Sequence, residues 1–361
     1  MFRPSIHARE FRLRTAFTTQ ATHDLLHGIL KRVSRSFYLT LNVLPMGVRD
    51  QMGLAYLFAR AADTIADTDL IDREQRLKYL HQFRIQFKFP EIHWEDLREI
   101  QAALVPHQKD SAESVLLQRL KDCFKLYESC SAGDRARIQW LMDVLPQGME
   151  MDLMRFPGQS AANLTALATL DELDQYTYYV AGCVGEFWTR MVCAHRPAMS
   201  RWDTAKMSAI GVKFGKGLQL TNILKDIGRD LHRGRCYVQE SLLSPMGLGA
   251  ADLLNERNLP KFRPVLRQLI RLAMEHLDQG WVYTMSIPAP EIRQRLACMW
   301  PILLAGETLK RVAASPDILN PAVNVKAPRA IVYRVMAVTT LSGANGYIAT
   351  AYWDRLRKAL S

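Results

Sequence analysis

Apolar residues recur at helical spacing along nearly the whole chain, and no stretch keeps the alternation of a half-buried strand. Residues 18–33 predict a first helix, with Leu25, Leu26, Ile29, Leu30 and Val33 on one face and Thr22 as its cap. Pro45 breaks the pattern, and a long helix resumes over Arg49–Ala66. Residues 74–87 read as an amphipathic helix. Residues 88–111, with Pro90 and Pro106, read as an irregular surface connection around one short helix, and Asp110 there reads as a plain surface aspartate. Further helices are predicted over Ser114–Ser129 and Arg135–Met154. Another begins at DELDQYTYYVAGCVGEFWTRMVC, capped by Asp171 or Thr169. A central helix spans Met207–Leu231. Helices over 263–284 and 291–314 follow, the latter interrupted by Pro301. The last runs from about Arg329 to Leu360, with a break at Gly343–Gly346. No internal repeat or linker is visible. The pattern predicts an all-α protein with one domain over residues 1–361, residues 1–17 forming a basic arm.

Composition narrows this. A hydrophobic content of 48% in 361 residues suffices for a sizeable core and excludes a disordered chain. The net charge of +11, from 47 basic and 36 acidic residues, suits an anionic partner: nucleic acid, a membrane surface or a phosphorylated substrate. The six cysteines form no Cys-x-x-Cys site and several lie in apolar helical text. They are read as reduced thiols of a cytoplasmic protein. The N-terminus is arginine-rich without an apolar run, unlike a secretory signal. The C-terminal apolar stretch holds Arg334, Asn345 and Gly346 and makes a poor membrane span.

The chemistry centres on Gly211–Tyr237, GVKFGKGLQLTNILKDIGRDLHRGRCY. Asp226 and Asp230 stand four apart, on one face of a helix. Like charges so placed repel unless a cation lies between them. Asp63 and Asp67 repeat the spacing, and the chain holds no other Asp-x-x-x-Asp pair. With Arg229, Arg233 and Arg235 beside the second pair, magnesium and a diphosphate are the expected guests. His23 and His27 share the spacing, but a zinc-protease motif needs Glu at Asp24, so they read as ordinary helix residues. Tyr176 and Tyr179, taken alone, read as core packing. Ala181, Gly182 and Gly185 would admit a second helix or a ligand closely. Ser34-Arg35-Ser36-Phe37 reads equally as a phosphate contact and a helix boundary.

In order, SRSF, YLFARAADTIAD, YTYYVAGCVGEF, LQLTNILKDIGRD and RGRCY resemble the squalene/phytoene synthase family over roughly residues 30–345, most nearly its squalene-forming members. The resemblance implies the all-helical class I isoprenoid synthase fold, a bundle around a central cavity with the two acidic helices facing each other. It implies magnesium at Asp63, Asp67, Asp226 and Asp230, which with Tyr176 form the catalytic set. It implies substrate contacts from Ser34, Ser36, Phe37, Tyr56, Arg60, Tyr179, Val184, Leu218, Gln219, Arg235 and Pro301. The implied reaction joins two farnesyl diphosphates head to head to presqualene diphosphate, with Tyr176 or the released diphosphate taking the proton that is lost. NADPH, held by Asn222, Arg235 and Lys326, then reduces it to squalene. A peripheral membrane surface is an implied partner and nucleic acid is not. Three departures keep a non-reductive dehydrosqualene or phytoene synthase in view: Asn324 where a basic residue is expected, Lys225 where arginine is usual, and GMEMDL at Gly148–Leu153, similar to phytoene-type members. A catalytically silent helical assembly protein is the reading from another class, and the four motif aspartates argue against it.

Overall fold

The structure, a computed structural model, describes residues 20–34, 37–88, 91–341 and 346–360. They form two compact units. The first takes residues up to 42 and 46–143; the second takes 43–45 and 144 onward. Both are helical, and the one pairing of strands among the described residues is two residues long.

In the first unit, a helical run from Gln20 passes through a π-turn at Asp24–Ile29 into α1 (Leu30–Ser34). Thr22 therefore lies inside the helix and does not cap it. Then come α2 (Phe37–Val43), α3 (Arg49–Asp67), α4 (Arg73–Ile85), α5 (Trp94–Leu104), α6 (Ser111–Gln118) and α7 (Leu120–Ser129). The single helix expected over Ser114–Ser129 is two, meeting at Arg119, where ψ opens to 12°. Asp110 is not a plain surface residue. Its carboxylate caps α6, accepting from the amides of Ala112 at 2.8 Å and Glu113 at 3.3 Å. The core is aromatic: Phe58 lies 4.8 Å from Phe87 and 4.9 Å from Phe124, ring centre to ring centre. α3 buries Leu54, Leu57, Phe58, Ala61, Ala62 and Ile65 against it, spaced three and four apart.

Helix α8 (Ala132–Arg155) supplies residues to both units. The second unit continues with β1 (Thr165–Ala166), α9 (Leu170–Thr177), α10 (Cys183–His195), α11 (Thr204–His232), β2 (Arg235–Cys236) and α12 (Glu240–Leu243). It ends with α13 (Leu259–Ser286), α14 (Ile292–Ala314), α15 (Arg329–Leu341) and α16 (Gly346–Leu360). Thr169 caps α9, accepting from the Glu172 amide. A π-turn, Tyr178–Gly182, joins α9 to α10. α14 runs unbroken through Pro301. The apolar residues on either side, Ala297, Cys298, Trp300, Ile302 and Leu303, are all buried and hold the helix across the missing hydrogen bond. Gly343–Ala344–Asn345 lie outside the described residues, and helices stand on both sides of them.

α11 is the centre of this unit. Its Leu220, Ile223, Leu224, Ile227 and Leu231 face inward. Along another face, a methyl group on Gly215 would sit 2.2 Å from the Ala181 carbonyl oxygen. One on Gly185 would sit 1.9 Å from the Gly211 oxygen. The small residues thus admit a neighbouring helix, as their size allows. Buried Glu307 ties α14 to the last two helices, accepting from Tyr352 at 2.6 Å and pairing with Arg311 and Arg334. All six cysteines are free thiols. Cys123, Cys183, Cys236 and Cys298 are buried, and burial pushes the thiols of Cys123 and Cys236 up to about 12. Among the described residues no helix is long and apolar enough to cross a membrane.

Candidate active site

On α3, Tyr56, Arg60, Asp63 and Asp67 follow one another at four, three and four residues. That spacing lines them along the face opposite the buried stripe. The Tyr56 ring stacks on Phe37, centroids 5.4 Å apart. Arg60 donates to Asp63 at 2.5 Å and to Glu113 on α6. Burial works against the Arg60 charge, but Asp63 and Glu113 outweigh it and hold the guanidinium above its usual pKa. Glu113 is a site residue that no local pattern reveals, because it lies 53 residues further along the chain. Asp67 is exposed at the end of the helix. Ser34 is buried and its hydroxyl donates to the Leu30 carbonyl at 2.5 Å, so it must turn to reach a phosphate. Ser36 lies outside the described residues.

On α11, Gly211, Gly215, Leu218, Asn222, Asp226 and Asp230 recur at three and four residues. The stripe that meets α10 therefore continues directly into the acidic pair. Lys225 donates to Asp226 at 2.9 Å and to the Asn222 side-chain oxygen at 2.9 Å. Arg229 pairs with Asp226 at 3.2 Å. Asp230 is deeper. Burial first, then the Asp226 charge, pushes its carboxyl up to about 7, against the pull of Arg235. At neutral pH, without a cation, Asp230 is only part ionised.

Gly234, with φ +81°, turns the chain after α11, and β2 then pairs parallel with β1, Thr165 opposite Arg235 and Ala166 opposite Cys236. That turn brings Arg235 and Tyr237 to Asp152 on α8. Arg235 pairs with Asp152 Oδ2 at 2.8 Å and Tyr237 donates to Asp152 Oδ1 at 2.5 Å. Tyr176 donates to the Tyr237 hydroxyl at 3.3 Å, and the two rings stack at 4.9 Å. One turn before Asp152, Gly148 leaves room for the π-turn: a methyl group there would lie 2.6 Å from the Val180 side chain. Asp152 and Tyr237 were not singled out from the sequence. The signal was present, in GMEMDL and RGRCY, but nothing local joins residues 85 apart.

The remaining expected residues are dispersed. Tyr179 borders an open recess of about 540 Å³ with Tyr178, Asp174 and Lys216, whose ammonium donates to Asp174 at 2.6 Å. Val184, Leu218 and Pro301 are half-buried on α10, α11 and α14, and Gln219 is half-buried beside Asn222. Lys326 is exposed between α14 and α15.

Among the described residues no three His, Cys, Asp or Glu side chains converge as a metal cage. The carboxylates come as pairs of hard oxygen donors. That fits magnesium, which takes one or two carboxylates and fills its remaining positions with water and substrate phosphate. For NADPH the fit is thinner: Asn222 and Lys326 are exposed, whereas Arg235 is engaged by Asp152.

The family model for squalene/phytoene synthase matches residues 30–330. The chain belongs to the squalene/phytoene synthase family. Squalene synthase of Schizosaccharomyces pombe is 25% identical over 305 residues, which cover 84% of this chain and 63%, under two thirds, of that protein. Phytoene synthase of Arthrospira platensis is 27% identical over 266 residues, 72% of this chain and 75% of that one. In structure the chain is similar to TcSQS in complex with the ligand BPH1237, with a TM-score of 0.75 and 20% identity, covering 94% of this chain and 96% of the other. That likeness shows the isoprenoid synthase fold of this family.

Proposed function

We propose that this chain is a squalene synthase, joining two farnesyl diphosphates head to head and reducing the product with NADPH. One observation carries the condensation. Each acidic pair is spaced by four residues along one face of its helix, with a cationic side chain held beside it: Arg60 by Asp63, and Lys225 and Arg229 by Asp226. That arrangement receives a diphosphate leaving group, whose negative charge grows as the allylic carbon–oxygen bond breaks.

Asp63, Asp67, Asp226 and Asp230 would hold magnesium. When bound, it supplies Lewis-acid neutralisation of the departing diphosphate. Arg60 adds charge-assisted hydrogen bonds. Phe37 and Tyr56 in the first unit, and Val184 and Leu218 in the second, would each offer a carbocation an apolar or aromatic surface. Tyr176 stands ready to take the proton lost as the cyclopropane closes. Asn222 and Lys326 would meet the phosphates of NADPH. The protein works in the cytoplasm and visits the membrane surface where its oily product must go.

A second reading, dehydrosqualene or phytoene synthesis, is favoured by the Arg235–Asp152 pair, which occupies a cation expected for the cofactor, and by Asn324. Product analysis separates the two. Farnesyl diphosphate with magnesium should give presqualene diphosphate, and added NADPH should turn it to squalene. Lys326→Ala should raise the NADPH requirement about ten- to hundredfold, the loss of one charge-assisted contact, and leave farnesyl diphosphate consumption unchanged. Only dehydrosqualene or phytoene at saturating NADPH would refute the reductive ending and leave the condensation standing. Asp63→Asn and Asp226→Asn should each cost several powers of ten in rate. Half-exposed Asp354→Asn, on the last helix, is the control, since Asp110 is a cap.

A further inference from the structure

A neutral tyrosine is a poor base, yet the condensation must lose a proton. The geometry around Tyr176 bears on this. An ionised carboxylate has no proton to give, so Tyr237 must be the donor in its 2.5 Å contact with Asp152. That leaves the Tyr237 oxygen as acceptor for the Tyr176 hydroxyl at 3.3 Å. Tyr176 has thereby turned its only proton away, toward Tyr237, and can meet substrate only through its oxygen lone pairs. Burial, with Tyr176 and Asp152 nearby, pushes the Tyr237 phenol far up, so it stays neutral and serves as a conductor. Arg235 on the other Asp152 oxygen, and the 4.9 Å ring stack, hold the chain in line. Asp152 and Tyr176 also border an open recess of about 320 Å³, at which Arg155 and Glu172 pair at 3.1 Å. It is about ten times the volume of a water molecule, ~30 Å³.

We propose that Tyr237 and Asp152 form a proton relay behind Tyr176, draining the condensation proton from Tyr176 to the recess beside Asp152. This rests on the proposed head-to-head reaction. In the adduct cation a C–H bond breaks and its electron pair closes the cyclopropane ring. The proton goes to the Tyr176 oxygen as the Tyr176 proton passes to Tyr237 and the Tyr237 proton to Asp152. The Asp152 acid then returns its proton to water in the recess. Diphosphate leaves in the preceding ionisation and is not needed as the base. Tyr237 and Asp152 touch no substrate; they are positioning residues that make Tyr176 an acceptor.

The test uses the full chain with magnesium and farnesyl diphosphate, without NADPH. Diphosphate release and presqualene diphosphate formation are measured separately, in H2O and D2O. Tyr237→Phe keeps the ring and removes the relay proton; Asp152→Asn removes the terminal acceptor. Each should lower presqualene diphosphate formed per diphosphate released by about a hundredfold, the size of a general-base contribution, with KM little changed and carbon diverted to alcohols and dienes. The solvent isotope effect on ring closure should disappear in both. Asp152→Glu should recover much of the ratio, and the double variant should be no worse than the worse single one. Thermal melts establish that each variant is folded. If both variants keep the parent's ratio, or lose release and ring closure in step, the relay is wrong and Asp152 only anchors Arg235. A parent that forms no head-to-head product overturns the proposed function and the relay together.

Discussion

At the scale of single residues, the site combines charges that a bare protein would avoid. Asp230 is the clearest case, with its carboxyl at about 7 through burial and the neighbouring Asp226. Unfolded, an aspartate sits near pKa ~3.9. The folded chain therefore holds this proton more tightly than the unfolded one. Its stabilising effect is complete below the unfolded value and is lost as pH rises toward the folded one. Asp230→Asn removes that loss. In chelator, the melting temperature of the variant relative to the parent should climb between pH 4.5 and 8, by a few degrees, while turnover vanishes. Magnesium should raise the parent's melting temperature more at pH 8 than at pH 5. A flat difference across this range would mean that Asp230 ionises as freely in the fold as outside it. That each aspartate pair shares one side of a helix was legible from spacing, because four residues is about one helical turn. Their partners were not. Glu113 reaches Arg60 and Asp152 reaches Arg235 and Tyr237 through tertiary folding, which no single-residue spacing encodes.

Among elements, most helices lie within a few residues of where apolar periodicity puts them, and Thr169 caps where expected. The departures are informative. A π-turn holds one more residue than an α-turn and makes no distinctive demand on side chains, so those at Asp24–Ile29 and Tyr178–Gly182 left no mark in the pattern. Pro301 did leave one, and burial overrode it. The second π-turn holds Tyr179 and leads into α10, which presses on α11 through glycine. Gly185→Ala must push apart two backbones that approach too closely for a methyl group. It should cost about 1–3 kcal/mol, as overpacking does, and should lower activity as Tyr179 moves. Gly28, in the first π-turn, has nothing within 4 Å of a methyl group. Gly28→Ala should be neutral or gain about 0.5 kcal/mol, from the smaller entropy lost on folding. Urea melts of the two variants check the contrast, and equal losses would refute the packing account of Gly185.

For the whole molecule, the +11 charge lacks a membrane helix among the described residues to accompany it, while Tyr333, Leu341 and Tyr347 stand exposed on the last two helices. Binding to anionic vesicles by flotation at low salt, lost at high salt, is the expected outcome. Absence of binding under both conditions would leave the charge to the substrate alone. The division into two compact units has a different use. Cys123 is buried in the first, and Cys183, Cys236 and Cys298 are buried in the second. Alkylating reagents attack only the thiolate, which burial withholds from all four. Each therefore reacts only when the chain around it opens. Counting mass tags against time turns these thiols into clocks. If the units open independently, Cys123 and the other three keep different time; if they open as one, a single rate serves all four.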